Sequence, residues 1–154
     1  MTLDTTKPTD QEMVAVLSSY IRENREAINA IVGSDNFGVT NLILSVGTTS
    51  LTIGNQLSTD GIEIVFITST GLSDLATILG GSNGQIKIFI FHDTNVDLAD
   101  GNAKANGVFY LNHLPAGSDF DPGIDDILAM INVGGDGAAV YGYWKELFRT
   151  LSVK

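Results

Sequence analysis

Carboxylates and histidines are the side chains of this 154-residue sequence that could hold a metal ion, because the sequence contains no cysteine. The two histidines, His92 and His113, each fall at the end of a predicted strand, and Asp93 follows the first of them. A zinc site would need both histidines and a carboxylate. The chain has no His-x-His or HExxH spacing, so the sequence favours two polar residues at strand ends.

Two acidic segments have a composition that could suit calcium. In "DTNVDLADGNAK", Leu98 stands where an EF-hand loop needs glycine, and Lys104 stands where it needs a bidentate glutamate. In "DFDPGIDD", four carboxylates surround a Pro-Gly turn, namely Asp119, Asp121, Asp125 and Asp126. Such a loop could collect a hard cation, but solvated turn aspartates are the favoured interpretation. The sequence therefore predicts no metal site and no cofactor.

The glycine-rich stretch "GGSNGQIKIFIF", residues 80–91, could be a phosphate-binding loop or a turn before a strand. A phosphate loop leads into a helix. Here residues 86–91 alternate between an isoleucine face and a face with Lys87, Phe89 and Phe91, which is the period of a strand. No Lys-Ser or Lys-Thr pair follows Gly84, so we expect a turn.

The charge balance narrows the class of partner. Lys and Arg total 8 against 18 Asp and Glu, which gives a net charge of −10. Nucleic acid and anionic membranes are therefore poor partners. The N-terminus lacks the apolar core of a secretory signal, and no apolar run approaches the roughly 18 residues of a membrane span, so we expect a soluble chain made in a cytoplasm. The low charged fraction of 17% and the 17 glycines favour self-association.

Residues 10–32 have the pattern of one α-helix. Thr9 and Glu12 form a capping box, and Gly33 provides the stop. Six positions recur with the 3-4 spacing of a coiled-coil seam, and they are Val14, Leu17, Ile21, Asn24, Ile28 and Ile31. Met13, Val16 and Tyr20 widen the apolar face. The pattern fits an amphipathic helix packed on its own domain, and it also fits self-association or docking to a partner.

After Gly33 the sequence predicts short strands separated by turns. The strands are expected at residues 39–46, 50–53, 62–68, 86–91, 95–98, 108–111, 127–132 and 140–153. Residues 70–79 are ambiguous, and no repeat of fixed period is evident. Spacing near ten residues without a helical pattern between strands points to a mainly β fold, an antiparallel β-sandwich or jelly-roll-like knob. We divide the chain into an N-terminal arm and helix, 1–33, and an antiparallel β-domain, 34–154.

Three segments carry a resemblance to a known group of proteins. They are "DLATILGGSNGQIKIFIFHD", "VDLADGNAKANGVFYLNH" and "GIDDILAMINVGGDGAAVYGYWKELFRT". Together they resemble the C-terminal β-domain of virion proteins of tailed bacteriophages, in which a Gly-Gly turn leads into a strand and the chain closes with Trp-x-Glu-x-x-Arg-Ser. Here the closing residues are Trp144, Glu146 and Arg149, with Thr150 in place of serine. "SYIRENREAIN", residues 19–29, is similar to the N-terminal helices of these proteins.

The resemblance implies a structural role and no enzymatic activity. Its members include capsid decoration or cement proteins, head fibres and tail-fibre tips, which are commonly trimeric. A short helix joined directly to a knob best suits a homotrimeric decoration or cement protein that binds the major capsid protein on the virion surface and stabilises the assembled head. The nine apolar or seam residues of the helix, Met13, Val14, Val16, Leu17, Tyr20, Ile21, Asn24, Ile28 and Ile31, are then candidate trimer or capsid contacts.

Two other functions stay open. In a short fibre or receptor-binding tip, aromatic residues such as Tyr110, Tyr141, Tyr143 and Trp144 could stack on a host surface glycan. The sequence favours core and interface positions for these aromatic residues, because Trp144 belongs to the closing motif. A glycan-cleaving enzyme would need paired carboxylates at a fixed distance, and only the aspartate cluster at 119–126 could supply them.

Overall fold

The computed structural model describes Ser19 and residues 37–101, 103–111 and 118–150. Apart from Ser19, the predicted helix over residues 10–32 lies outside the described residues. The chain divides into two units, Met1–Asp35 and Asn36–Lys154. The described part of the second unit contains ten strands: β1 (Phe37–Leu44), β2 (Ser50–Thr52), β3 (Ile62–Ser69), β4 (Ser73–Leu75), β5 (Thr77–Leu79), β6 (Ile86–Phe91), β7 (Val96–Leu98), β8 (Phe109–Tyr110), β9 (Ile127–Val133) and β10 (Tyr143–Arg149).

Three long strands that are far apart in the sequence lie side by side and run in the same direction. β1 pairs in parallel with β3, and β3 pairs in parallel with β6. Phe37, Ile62 and Ile86 occupy equivalent positions in the three strands, so the chain comes back to this position after 25 residues and again after 24. We call each such turn of the chain a coil.

Two shorter parallel ladders complete the coils. β2 pairs with β5, and β4 pairs with β7. Backbone hydrogen bonds join the corners of successive coils, since Thr70 N donates to Leu44 O and Ala76 N donates to Thr49 O. A chain that winds so that its strands stack in parallel ladders has the architecture of a β-solenoid.

The segments after β7 run against the coils and pair with the last strand of each ladder. We call these segments the cap. β9 pairs antiparallel with β6, Phe120 bridges antiparallel to Leu98 of β7, and Val108 bridges antiparallel to Thr77 of β5. β10 and β8 then extend the long sheet, whose order is β1-β3-β6-β9-β10-β8. Each capping segment pairs with a ladder edge that would otherwise be free.

One apolar core fills the coils. Val65 of β3, Phe89 of β6 and Leu128 of β9 are neighbours in register, and all three side chains are fully buried. Phe91 packs edge-on against Phe120 of the cap, with ring centres 5.8 Å apart. The inward side chains of the short strands belong to the same cluster.

The structure confirms a mainly β domain but not an antiparallel sandwich. Antiparallel pairing joins β6 to β9 and β9 to β10, and it occurs otherwise only as isolated bridges among the described residues. The ambiguous segment 70–79 forms β4 and β5. Strands that follow one another at a spacing of about ten residues do not pair with each other. They lie on different sides of one coil and are separated by its corners. Parallel neighbours need a connection of a dozen or more residues, which the short strands and corners supply here.

Trp144 fastens the cap to the coils. Its side chain is fully buried, and its Nε1–H donates to Ile78 O at 3.0 Å. Gly81 permits this packing, because a Cβ there would clash with Asn132 Nδ2 and would lie 2.9 Å from the Trp144 ring. The Gly-Gly turn and the closing tryptophan are thus parts of one contact.

Glu146 and Arg149 complete the closing strand. Glu146 is buried, and Arg149 Nε donates to its Oε1 at 2.6 Å. The Arg149 guanidinium lies 4.9 Å from the centre of the Phe120 ring. This ion pair therefore covers the part of the cap that closes β7.

Trp144→Ala should destabilise the β-domain by about 3–5 kcal/mol, because it removes a buried aromatic side chain and leaves a cavity. Trp144→Phe keeps most of the apolar volume and loses the hydrogen bond to Ile78 O, which is worth about 0.5–1.5 kcal/mol. Urea unfolding followed by far-UV circular dichroism measures both. Equal, small losses in the two variants would show that the cap does not depend on this side chain.

Candidate functional site

The nine helix residues proposed as trimer or capsid contacts all lie outside the described residues. They are Met13, Val14, Val16, Leu17, Tyr20, Ile21, Asn24, Ile28 and Ile31. Their role stays a prediction from the sequence. The described surface of the β-domain offers other groups, and these can be placed.

His92 and Asp93 have partners within the fold. The exposed His92 ring lies 5.1 Å from the ring of Phe66. The Asp93 carboxylate accepts hydrogen bonds from Ser69 N at 2.7 Å and Asn95 N at 2.9 Å, so it shapes the corner after β6. The second histidine, His113, lies outside the described ranges. Among the residues that are described, no group of three or more His, Asp or Glu side chains is placed to hold a metal ion.

The carboxylates of the 119–126 loop do not point to a common centre. Asp126 is buried and accepts a hydrogen bond from Gly123 N at 2.7 Å, which closes the Pro-Gly turn. Asp119, Asp121 and Asp125 are exposed, and Asp125 has a positive φ of 65°. These positions agree with the interpretation of the loop as a turn.

The glycine-rich stretch forms the turn between β5 and β6. Gly84 has a φ of 87°, and its N–H donates to Asn132 O at 2.9 Å. Asn83 N donates to Gly135 O at 2.8 Å. These backbone donors are engaged by the cap, and a strand follows at Ile86, so the prediction of a turn is confirmed.

Aspartates line the outward side of the β4–β7 ladder. Asp74 and Asp97 are direct neighbours in register, and Asp119 lies close enough to act on Asp74. Burial, and secondly the charge of Asp119, raise the pKa of Asp74 above its ordinary value of 3.8. Ionised Asp74 therefore costs stability in the folded state at neutral pH.

A buried ion pair lies among the inward side chains of the long sheet. Glu63 and Lys87 are neighbours in register, both fully buried, with Nζ 2.6 Å from Oε2. Glu63 also accepts hydrogen bonds from Ser58 N at 3.0 Å and from the Thr40 hydroxyl. Lys87 donates to Ser58 O at 2.7 Å and Asp60 O at 3.4 Å. The pair ties the loop after β2 to the next two coils.

The outward side of the long sheet is the largest candidate surface, and we call it the outer face. Its side chains alternate with the buried ones and are half-buried or exposed, except for the small Ala129. On β1, β3, β6, β9 and β10 the outer face comprises Val39, Asn41, Ile43, Ile62, Ile64, Phe66, Thr68, Ile86, Ile88, Ile90, Ile127, Ala129, Ile131, Val133, Tyr143, Lys145 and Phe148. Most of these residues are apolar, and Lys145 is the one charged residue among them.

The most exposed apolar side chains of the outer face lie on the strands β1 and β10. Val39 and Ile43 on β1 are 58% and 73% exposed, and Phe148 on β10 is 51% exposed. Phe148 stands opposite Ala129, which leaves its ring raised above a small neighbour. Exposed apolar surface of this extent is typical of a binding surface.

A pair of tyrosines forms a smaller candidate site at the β8–β10 side. The rings of Tyr110 and Tyr143 are half-buried and meet edge-on, with centres 6.0 Å apart. Lys104 Nζ lies 5.8 Å and 5.9 Å from the two ring centres. Trp144 is fully buried, so it is not available to stack on a ligand.

Comparisons with models of protein families, with curated proteins and with solved structures give no match to this chain.

Sequence reasoning missed both the outer face and the Glu63–Lys87 pair. The signal for both is present in "IEIVFIT" and "IKIFIF", residues 62–68 and 86–91. Each segment begins with isoleucine, has one charged residue at its second position, and is otherwise largely apolar on both faces. Aligning the charges of Glu63 and Lys87 gives the observed parallel register.

Lys87→Met should cost about 3–5 kcal/mol, because it leaves the Glu63 carboxylate buried without its charged partner. Adding Glu63→Gln removes that charge and keeps an acceptor for Ser58 N, so the double variant should regain much of the loss. Urea unfolding of the two single variants and the double variant gives the coupling energy. A double variant that is less stable than Lys87→Met would contradict this account.

Asp74→Asn should raise the melting temperature at pH 7 and have little effect below pH 3.8, where the aspartate is protonated in both states. Asp136→Asn is the matched control with the opposite sign. Backbone N–H groups of Ala138 and Val140 donate to Asp136 and lower its pKa, so its ionised form stabilises the fold. That stability is lost as the pH falls through the lowered pKa. Thermal melts at pH 7 and pH 3 test both variants. Melting temperatures that shift in the same direction at pH 7 would contradict this account.

Proposed function

We propose that this chain is a homotrimeric structural protein of a tailed-phage virion, which decorates the assembled capsid and reinforces it. The observation that carries the proposal is the contact between the motifs of the resemblance. Gly81 of the Gly-Gly turn packs on Trp144 of the closing motif. Residues that are 63 positions apart in the sequence therefore serve one structural purpose, as expected if the whole β-domain is shared with those virion proteins.

The character of the described domain suits a mechanical role. Its buried polar side chains are satisfied, since none of the described buried side-chain nitrogen or oxygen atoms lacks a hydrogen-bond partner. The groups that first suggested chemistry at Asp93 and Asp126 are engaged in turns. A rigid β-domain of this kind supports binding through surfaces.

Attachment to the capsid is assigned to residues 1–33, where the stripe of the predicted helix includes Leu17 and Ile21. In a trimer three such segments would act together, and linked weak contacts give high effective concentration. Met13, Val16 and Tyr20 lie outside the seam and are the candidates for contact with the major capsid protein.

A receptor-binding tip is the second candidate, and the tyrosine pair favours it. Tyr110 and Tyr143 are partly accessible, with Lys104 above both rings. Aromatic faces of this kind can stack on a sugar. Loss of host-cell binding in Tyr110→Ala, with the trimer and its melting temperature intact, would favour the tip over the decoration protein.

The decoration function predicts a trimer that persists at micromolar concentration, and density for it on the capsid surface. Native mass spectrometry and electron microscopy of purified particles test the two parts. A monomer of 16.3 kDa would remove the multivalent mechanism. Density at the tail tip would favour the receptor-binding alternative.

A chain that begins at Gly33 should stay a folded trimer and fail to bind particles that lack the protein. The seam is too short to hold three chains together alone, and Asn24 weakens it further. The full-length chain is the control. Full occupancy of capsids by the shortened chain would move the attachment site into the β-domain.

A further inference from the structure

We infer that copies of this chain meet through the outer face of the long sheet. The number of copies, three, rests on the proposed function, whereas the surface itself is argued from the β-domain. The partner at this surface is a second copy of the same chain, which presents the same apolar face.

The outer face is large enough to be a binding surface. Five strands, β1, β3, β6, β9 and β10, contribute to it, so at about 4.8 Å per strand and about 3.3 Å per residue it measures roughly 24 Å by 20 Å. That is on the order of 480 Å² in projection, and the relief of the side chains makes the accessible area larger. Apolar patches of this size on single proteins are often functional.

The negative charge of the described residues lies away from the outer face. The chain has a net charge of −10, so two copies repel each other on average. The outer face contains no carboxylate, and its one charged side chain is the exposed Lys145 of β10, which stands opposite Ile131. Charged residues are depleted in the cores of protein interfaces. This face is where two such acidic chains can approach closely.

The central strands of the long sheet are apolar on both sides. β3 and β6 have apolar residues on both faces, as Ile64 and Val65 or Ile88 and Phe89 show. Strands that are apolar on both sides are typical of sheets covered on both sides. The core covers the inward side, which leaves the outer face as the side that needs a partner.

Each copy presents an apolar face of the same size, roughly 24 Å across. Faces that turn towards one another in an assembly therefore cover the apolar surface that the core leaves open.

Ile88→Glu in the full-length chain tests the surface, because Ile88 lies on the central strand β6. Thr49→Glu is the matched control, since Thr49 is exposed and lies at the corner beside Ala76, between the two short ladders. We expect native mass spectrometry to show monomers for Ile88→Glu and the wild-type oligomer for Thr49→Glu. Circular dichroism checks that each variant is folded. An unchanged oligomer in folded Ile88→Glu would overturn the inference.

Cross-linking provides a second test that needs no charge in the sheet. The protein has no cysteine, so Ile88→Cys and Thr49→Cys each introduce a single thiol. A short bis-maleimide should convert Ile88→Cys, but not Thr49→Cys, to a covalent dimer. An introduced thiol at position 88 that reacts as fast as the one at position 49, without forming dimers, would contradict the inference.

The outcomes separate the surface from the proposed function. A trimer that persists in Ile88→Glu would refute the surface and leave the decoration function standing. A wild-type dimer that Ile88→Glu dissociates would support the surface and refute the trimer. A wild-type monomer would refute both.

Discussion

The register between β3 and β6 is the constraint on which the rest of the β-domain depends. Side chains alternate between the two sides of a strand, so a slip of one residue would exchange the core set with the outward set. Both sets are apolar here, and packing alone distinguishes them poorly. The buried pair of Glu63 and Lys87 supplies the difference, because a slip would separate two buried charges that pair with each other.

The strands and turns were accessible from the sequence, whereas the pairing was not. Every predicted strand after Gly33 corresponds to an observed strand, because alternation and Asn-Gly or Asp-Gly turns are local signals. Pairing depends on which segment lies next in space, and the neighbours of β3 are about 25 residues away on either side. The spacing of about ten residues suggested hairpins. The better signal was the apolar character of both faces of residues 62–68, which is typical of parallel strands.

The candidate surface could not be read from the chain for a related reason. A helical stripe such as the one from Val14 to Ile31 is visible within one segment of sequence. The outer face becomes a surface only when Val39, Ile64, Ile88 and Ile131 are brought side by side from four strands. The aspartates of the 119–126 loop show the converse, since Asp119 and Asp126 are close in sequence but the turn directs Asp126 inward.

The two ends of the solenoid differ in how the edges of their strands are protected. The C-terminal end is closed by antiparallel segments that Trp144 anchors. At the other end, β1 has the sequence "FGVTNLIL", which contains no proline and no charge, the usual means of blocking an edge. Under the proposed function, assembly of copies uses the outer face of the sheet and attachment uses residues 1–33, so each can change without disturbing the other.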